Sequence, residues 1–170
     1  GLLRQRDRRR ASRLRYFRRA TVQVERLYNR NDGIQALEWI PRVRDGRRNE
    51  FVEAARRDGF SDFQITEKSI AGKMVPAGQR GEYYPVFYVE PYKGNEQALG
   101  FDLASNPARL QAAERARDRN APVATSRITL VQETGDQFAF LVFLPIYASG
   151  KPDTSLAYRR ADLHGFALGV

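Results

Sequence analysis

The sequence predicts an α+β domain, an antiparallel sheet flanked by helices, led in by a long basic helix. Three observations predict it. Residues 4–30 contain no Gly or Pro, and Leu14, Phe17, Thr21, Val24 and Tyr28 recur at steps of 3, 4, 3 and 4, the rhythm of a helix laying a narrow stripe on a partner. From residue 34 onward, five or six short apolar or alternating stretches are punctuated by Gly, Pro and Asn turns. Only two short helical patterns interrupt them, so the regular strand–helix rhythm of a doubly wound sheet is absent. Finally, 170 residues with 42% hydrophobic content suffice for one core.

The elements follow in order. "IQALEWI", residues 34–40, reads as a first strand, in which Glu38 beside the single tryptophan needs a partner if it is covered. Arg42 is the nearest candidate for a structural pair. "DGRRNEFVEAARRDGF" reads as a helix capped by Asp45, lined by Phe51, Val52 and Ala55, and ended by Gly59. "FQITEK" alternates like an edge strand and "AGKMVPAGQRG" reads as a loop. "EYYPVFYVEPY" reads as a strand whose prolines favour an edge or a bulge. The clearest helix has Asn106 or Ser105 as cap, Pro107 in its first turn, Leu110, Ala113 and Ala116 facing inward, and Asn120 closing it. "ATSRITLVQ" and "QFAFLVFLPIYA" form a hairpin across "ETGD", the second strand apolar on both faces and so expected at the centre of the sheet. A loop through "SGKPDTSLAYRRAD" leads to a last strand, "LHGFALGV".

The net charge of +9 is not spread over the domain. Residues 1–30 hold eleven arginines against Asp7 and Glu25, whereas residues 31–170 are balanced at eighteen charges of each sign. The chain therefore divides into a basic N-terminal helix, 1–30, and a neutral domain, 31–170. The basic helix could be a solvated or partner helix. The alternative is an interaction module for nucleic acid or an anionic membrane surface, which a steep fall of binding with salt would reveal. No stretch is long and apolar enough to span a membrane. With no cysteine and only His164, thiolate metal sites, His-rich zinc sites and a Ser-His-Asp triad have no support. There is no GxSxG, P-loop or HExxH, so the domain is read as non-enzymatic, without metal or cofactor.

Six pieces in order, "GIQALEWIPRV", "GF..F.I.E", "YYPVFYVEP", "N..ALGFDL.SNPAR", "APVATSRITLVQ" and "FLVFLPIY", resemble CHASE domains across residues 33–170. These are extracytoplasmic sensory domains of receptor histidine kinases, nucleotide cyclases and phosphodiesterases, and the plant cytokinin receptors carry related ones. The resemblance implies a PAS-like sheet on a stalk helix, with residues 31–170 a sensor domain truncated at its C-terminal end. It implies a membrane-anchored receptor whose sensor lies in the periplasm or outside the cell, dimerises through the N-terminal helix, and binds a small molecule rather than nucleic acid. Binding would bias the packing of helices that run to an effector. A purely structural dimerisation domain, with a filled core and no ligand, is the competing reading.

Within that reading, Tyr84, Phe87 and Tyr88 on one strand and Phe140 on another are expected to supply aromatic walls to a pocket. Core packing is the plainer role of each. Thr125 matches a threonine of the cytokinin receptors and could bond a ligand or a water, or be an ordinary strand threonine. Asp102 fits an Asx turn into the helix at Pro107, with ligand contact as its second role. Lys93 falls where the plant receptors place a purine-binding aspartate, so Lys93 or Arg80 suits an anionic ligand better than an adenine derivative.

Overall fold

The structure, a computed structural model, describes residues 34–128, 139–149 and 155–170. The basic N-terminal segment, and with it the stalk helix and its seam, lies outside the described residues. The domain is α+β. A five-stranded antiparallel sheet is built from β1 (Leu37–Pro41), β6 (Tyr88–Glu90), β7 (Val123–Ala124), β8 (Val142–Tyr147) and β9 (Leu163–Gly169), in the order β6-β1-β9-β8-β7. Two small two-stranded pairs stand beside it: β2 (Val43–Arg44) with β5 (Glu82–Tyr83), and β3 (Thr66–Lys68) with β4 (Met74–Pro76). The helices are α1 (Arg48–Arg57), α2 (Pro107–Arg119) and α3 (Leu156–Asp162).

Strand alternation fixes which side chains face α2. Ala36 just before β1 and Glu38 and Ile40 within it point inward, as do Phe166 and Leu168 from β9 and Phe143 and Tyr147 from β8, all buried. Opposite them α2 presents Ala112, Ala113 and Ala116. The small residues let the helix approach closely, and the large strand residues fill the space. Asn106 caps α2 by accepting from Ala108 N at 3.1 Å and Arg109 N at 3.2 Å, and Asn120 ends it in the left-handed region at φ 51°. A second core lies under α1, where Phe51, Phe63 and Phe87 meet with ring centroids 5.3–5.8 Å apart.

Several expectations are corrected. β9, not the strand through "FLVFLPIY", is the central strand. β8 lies between β9 and β7, and its Val142 is exposed on the side away from α2. "EYYPVFYVEP" is not one strand: the chain passes through Pro85 between β5 and β6, which pair in different sheets. The "AGKMVPAGQRG" loop contains β4, and "SLAYRRAD" is α3, capped by Ser155 accepting from Tyr158 N at 3.3 Å. Asp45 does not cap α1. It opens a 3₁₀ turn ahead of the helix and accepts from Tyr83 Oη at 2.7 Å.

The two cores are joined by residues 100–103. Thr66 N donates to Gly100 O at 2.9 Å and Asp102 N to Thr66 O at 2.8 Å on one side, and Leu103 N to Tyr84 O at 3.0 Å on the other. Gly100 sits at φ +82°, and a Cβ there would collide with the Gln64 carbonyl oxygen. Backbone strain and overpacking act together at this seam, so Gly100→Ala is expected to destabilise the domain by about 2–4 kcal/mol. Urea unfolding followed by circular dichroism measures it, and an unchanged midpoint would show that the segment is free to move away.

Candidate functional site

Among the described residues, the inner face of the sheet carries one charged side chain. Glu38, on β1, sits between the inward-facing Ala36 and Ile40 and is 8% exposed. The facing charge is Arg109 on the first turn of α2, 5% exposed, with its guanidinium 5.0 Å from the centre of the Phe101 ring. Glu38 and Arg109 sense each other across a gap. Burial pushes the Glu38 carboxyl up to about 8, and the field of Arg109 only partly opposes this. Burial likewise lowers Arg109, against the pull of Glu38. Near neutral pH the site thus holds a mostly protonated carboxyl facing a guanidinium, two directional groups in an otherwise apolar layer.

Arg42 is not the partner of Glu38. Past Pro41 the chain turns off the sheet, and Arg42 Nε binds Glu82 at 2.6 Å while its Nη1 binds Arg160 O at 2.6 Å. Glu82 in turn accepts from Tyr84 Oη at 2.6 Å. Burial would raise the Glu82 pKa, but the Tyr84 hydroxyl and Arg42 outweigh it and hold the carboxyl below its usual range. The Tyr84 hydroxyl is pushed up, first by burial and then by its bond to Glu82.

The other residues singled out from the sequence fall in different places. Tyr84 is buried in the main core with its ring edge-on to Phe166 at 5.3 Å. Asp102 is fully buried and joined to Tyr84, accepting from Tyr84 N at 2.7 Å and from Arg80 Nη1 at 2.6 Å. Arg80 also pairs with Glu67, so it is committed within the fold. Thr125 is buried on the α2 side and accepts from Leu141 N at 3.1 Å. Phe87 belongs to the second core, with Tyr88 beside it at 4.9 Å and partly exposed. Lys93 and Phe140 face solvent. None of these seven residues lines the cavity of about 250 Å³ that lies against α1. Arg109 was missed from the sequence. The signal for it was its place one turn before Ala112 and Ala113 on the inward stripe of the helix.

Among the described residues no group of three or more His, Cys, Asp or Glu could hold a metal ion, and no helix is long and apolar enough to cross a membrane. The CHASE domain family model matches residues 17–170. The chain belongs to the CHASE domain family, the sensory and non-catalytic domains of signalling receptors such as histidine kinases, which lie outside the cytoplasm. It is also similar to a hybrid signal transduction histidine kinase A of Dictyostelium discoideum, with 23% identity over 155 residues. That similarity covers 86% of this chain but 7% of the relative's length.

Proposed function

We propose that the domain is the input module of a transmembrane receptor of the histidine kinase or diguanylate cyclase/phosphodiesterase type. It takes a small molecule on the inner face of a PAS-like sheet, beside Glu38 and Arg109. The observation that carries the reading is Glu38, an acidic side chain buried on the inner face of the sheet, whose carboxyl is pushed up by that burial and faces the buried Arg109 guanidinium. A ligand that hydrogen-bonds Glu38 would lie beside the Arg109 guanidinium, whose charge favours an anionic group there. The strand order supports the PAS-like part of the proposal: in chain order the five strands lie 2-1-5-4-3, all antiparallel.

Thr125 and Tyr84, on the α2 side, are kept as proposed lining residues, with Asp102 behind Tyr84. Phe87 and Tyr88 lie to one side, and Lys93 and Phe140 would meet a ligand only at an entrance. In the proposed receptor the domain is extracytoplasmic and membrane-anchored, and pairs with a second copy through Leu14, Phe17, Thr21, Val24 and Tyr28. Ligand binding then shifts the packing of that helix pair.

A thermal-shift screen of small polar metabolites is the test. A true ligand raises the melting temperature of the wild-type domain, and at a hundred times its Kd the gain corresponds to about 3 kcal/mol. Thr125→Ile and Arg109→Met should abolish that gain while the domains still unfold cooperatively. If a hit stabilises both variants as much as the wild type, the ligand does not sit on the inner face.

A further inference from the structure

The cavity against α1 is separate from the inner face of the sheet. Arg48, Val52 and Arg56 line it from one side of the helix, and Gln64, Ile65 and Pro76 from the other wall. Val52, Ile65 and Pro76 make an apolar floor. Arg48 and Arg56, eight residues apart on one helical face, stand about 12 Å apart along the axis.

Both guanidiniums are oriented by neutral oxygens. Arg48 donates from Nη1 to Tyr83 Oη at 3.1 Å and from Nη2 to Ala77 O at 2.8 Å, and its guanidinium lies 4.8 Å from the centre of the Tyr83 ring. Arg56 donates from Nε to Phe63 O at 3.1 Å, which leaves its terminal nitrogens to the cavity. The nearby acids are engaged elsewhere: Glu50 with Arg47, Glu53 with Arg57 at 3.8 Å, and Asp45, which lies near Arg48, with Tyr83 Oη and Gln79. Among the described residues neither Arg48 nor Arg56 forms a salt bridge.

We infer that this groove is a second binding site, for a small anion with a carboxylate at each end of an apolar chain. Two fixed guanidiniums flanking an apolar floor match charged ends and a hydrophobic middle. Glu53 on the groove wall repels charge from the centre, which disfavours compact polyanions. The span between the arginines favours a medium-length chain over a short one.

Isothermal titration of the 170-residue chain with suberate, adipate, succinate and octanoate tests this. Suberate is expected to bind tightest, with succinate and octanoate each at least about tenfold weaker. Arg56→Gln, which leaves the Arg48–Tyr83 contact in place, should bring suberate down to the level of octanoate, whereas Glu38→Gln should leave it unchanged. Absence of suberate binding overturns the inference, as does an affinity equal to that of succinate or octanoate. It is also overturned if suberate binding survives Arg56→Gln in a variant with a native circular dichroism spectrum. Suberate binding lost in Glu38→Gln but kept in Arg56→Gln would place the anion at the buried pair and sink the second site alone.

Discussion

Asp102→Ala is expected to lower the unfolding free energy of the domain by about 4 kcal/mol, the largest loss among single substitutions of its polar residues. Asp102 is fully buried and accepts from three donors: Tyr84 N at 2.7 Å, Ala104 N at 3.1 Å and Arg80 Nη1 at 2.6 Å. Alanine would leave the Tyr84 N–H dry and unpaired and remove one of the two carboxylates that hold Arg80. The damage falls on residues 100–103, where the two cores meet, so it should spread to both. Burial pushes the Asp102 carboxyl up, while the Tyr84 N–H and Arg80 pull it down, and the net direction is upward. Asp102→Asn keeps an oxygen for the two backbone donors, Tyr84 N and Ala104 N, loses the Arg80 bond, and is expected to cost about half as much. Urea unfolding at constant pH measures both. A loss below about 1 kcal/mol for Asp102→Ala would mean that water reaches this carboxylate and takes its place.

The elements that local chemistry specifies were legible in the sequence. The apolar run of "IQALEWI" marks β1, but left open which face Glu38 takes, since either Ala36 and Ile40 or Leu37 and Trp39 could have faced the core. The Asn106–Pro107 start and the Asn120 stop bound α2 because caps are local backbone chemistry. What could not be read depends on distant partners. α3 is seven residues with no buried position. Arg160 Nη2 ties it to Asp118 at 2.6 Å, and Arg159 Nε reaches the Asp118 carbonyl at 3.1 Å. Asp118 is held well below the usual carboxylate range, first by the bond from Arg160 and then by Arg117. β4 was hidden because its three residues gain order only by pairing with β3. The candidate site shows the same limit. Glu38 could be recognised as needing a partner, and Arg42 is close in sequence, but Pro41 ends the strand and the chain bends to Glu82. The facing charge is on a helix 71 residues on, and only the packing of α2 on the sheet brings Arg109 to it.

That buried carboxyl has a consequence for pH. Glu38 titrates near 4.5 when exposed and near 8 in the folded domain, because burial disfavours its charged form. The folded state therefore binds the proton more tightly than the unfolded chain, so from this group stability falls as pH rises between about 4.5 and about 8. A shift of that size bounds the loss at roughly 5 kcal/mol, and water entering beside the charged carboxylate will reduce it. Below the lower limit both states are protonated and the group is neutral in its effect. Glu38→Gln removes the titration while keeping the shape. At pH 5 it should lie within about 1 kcal/mol of the wild type, and at pH 9 it should be more stable by about 2–4 kcal/mol. Arg109→Met takes away the opposing field, so in that variant the decline should begin at the same pH and continue to a still higher one. Unfolding in urea at pH 5, 7 and 9 decides between a dry and a wet site. Parallel pH curves for wild type and Glu38→Gln would show that Glu38 ionises in contact with water. A carboxyl already served by solvent would have no need of a ligand's donor, and the case for the inner face as the sensing site would lose its footing.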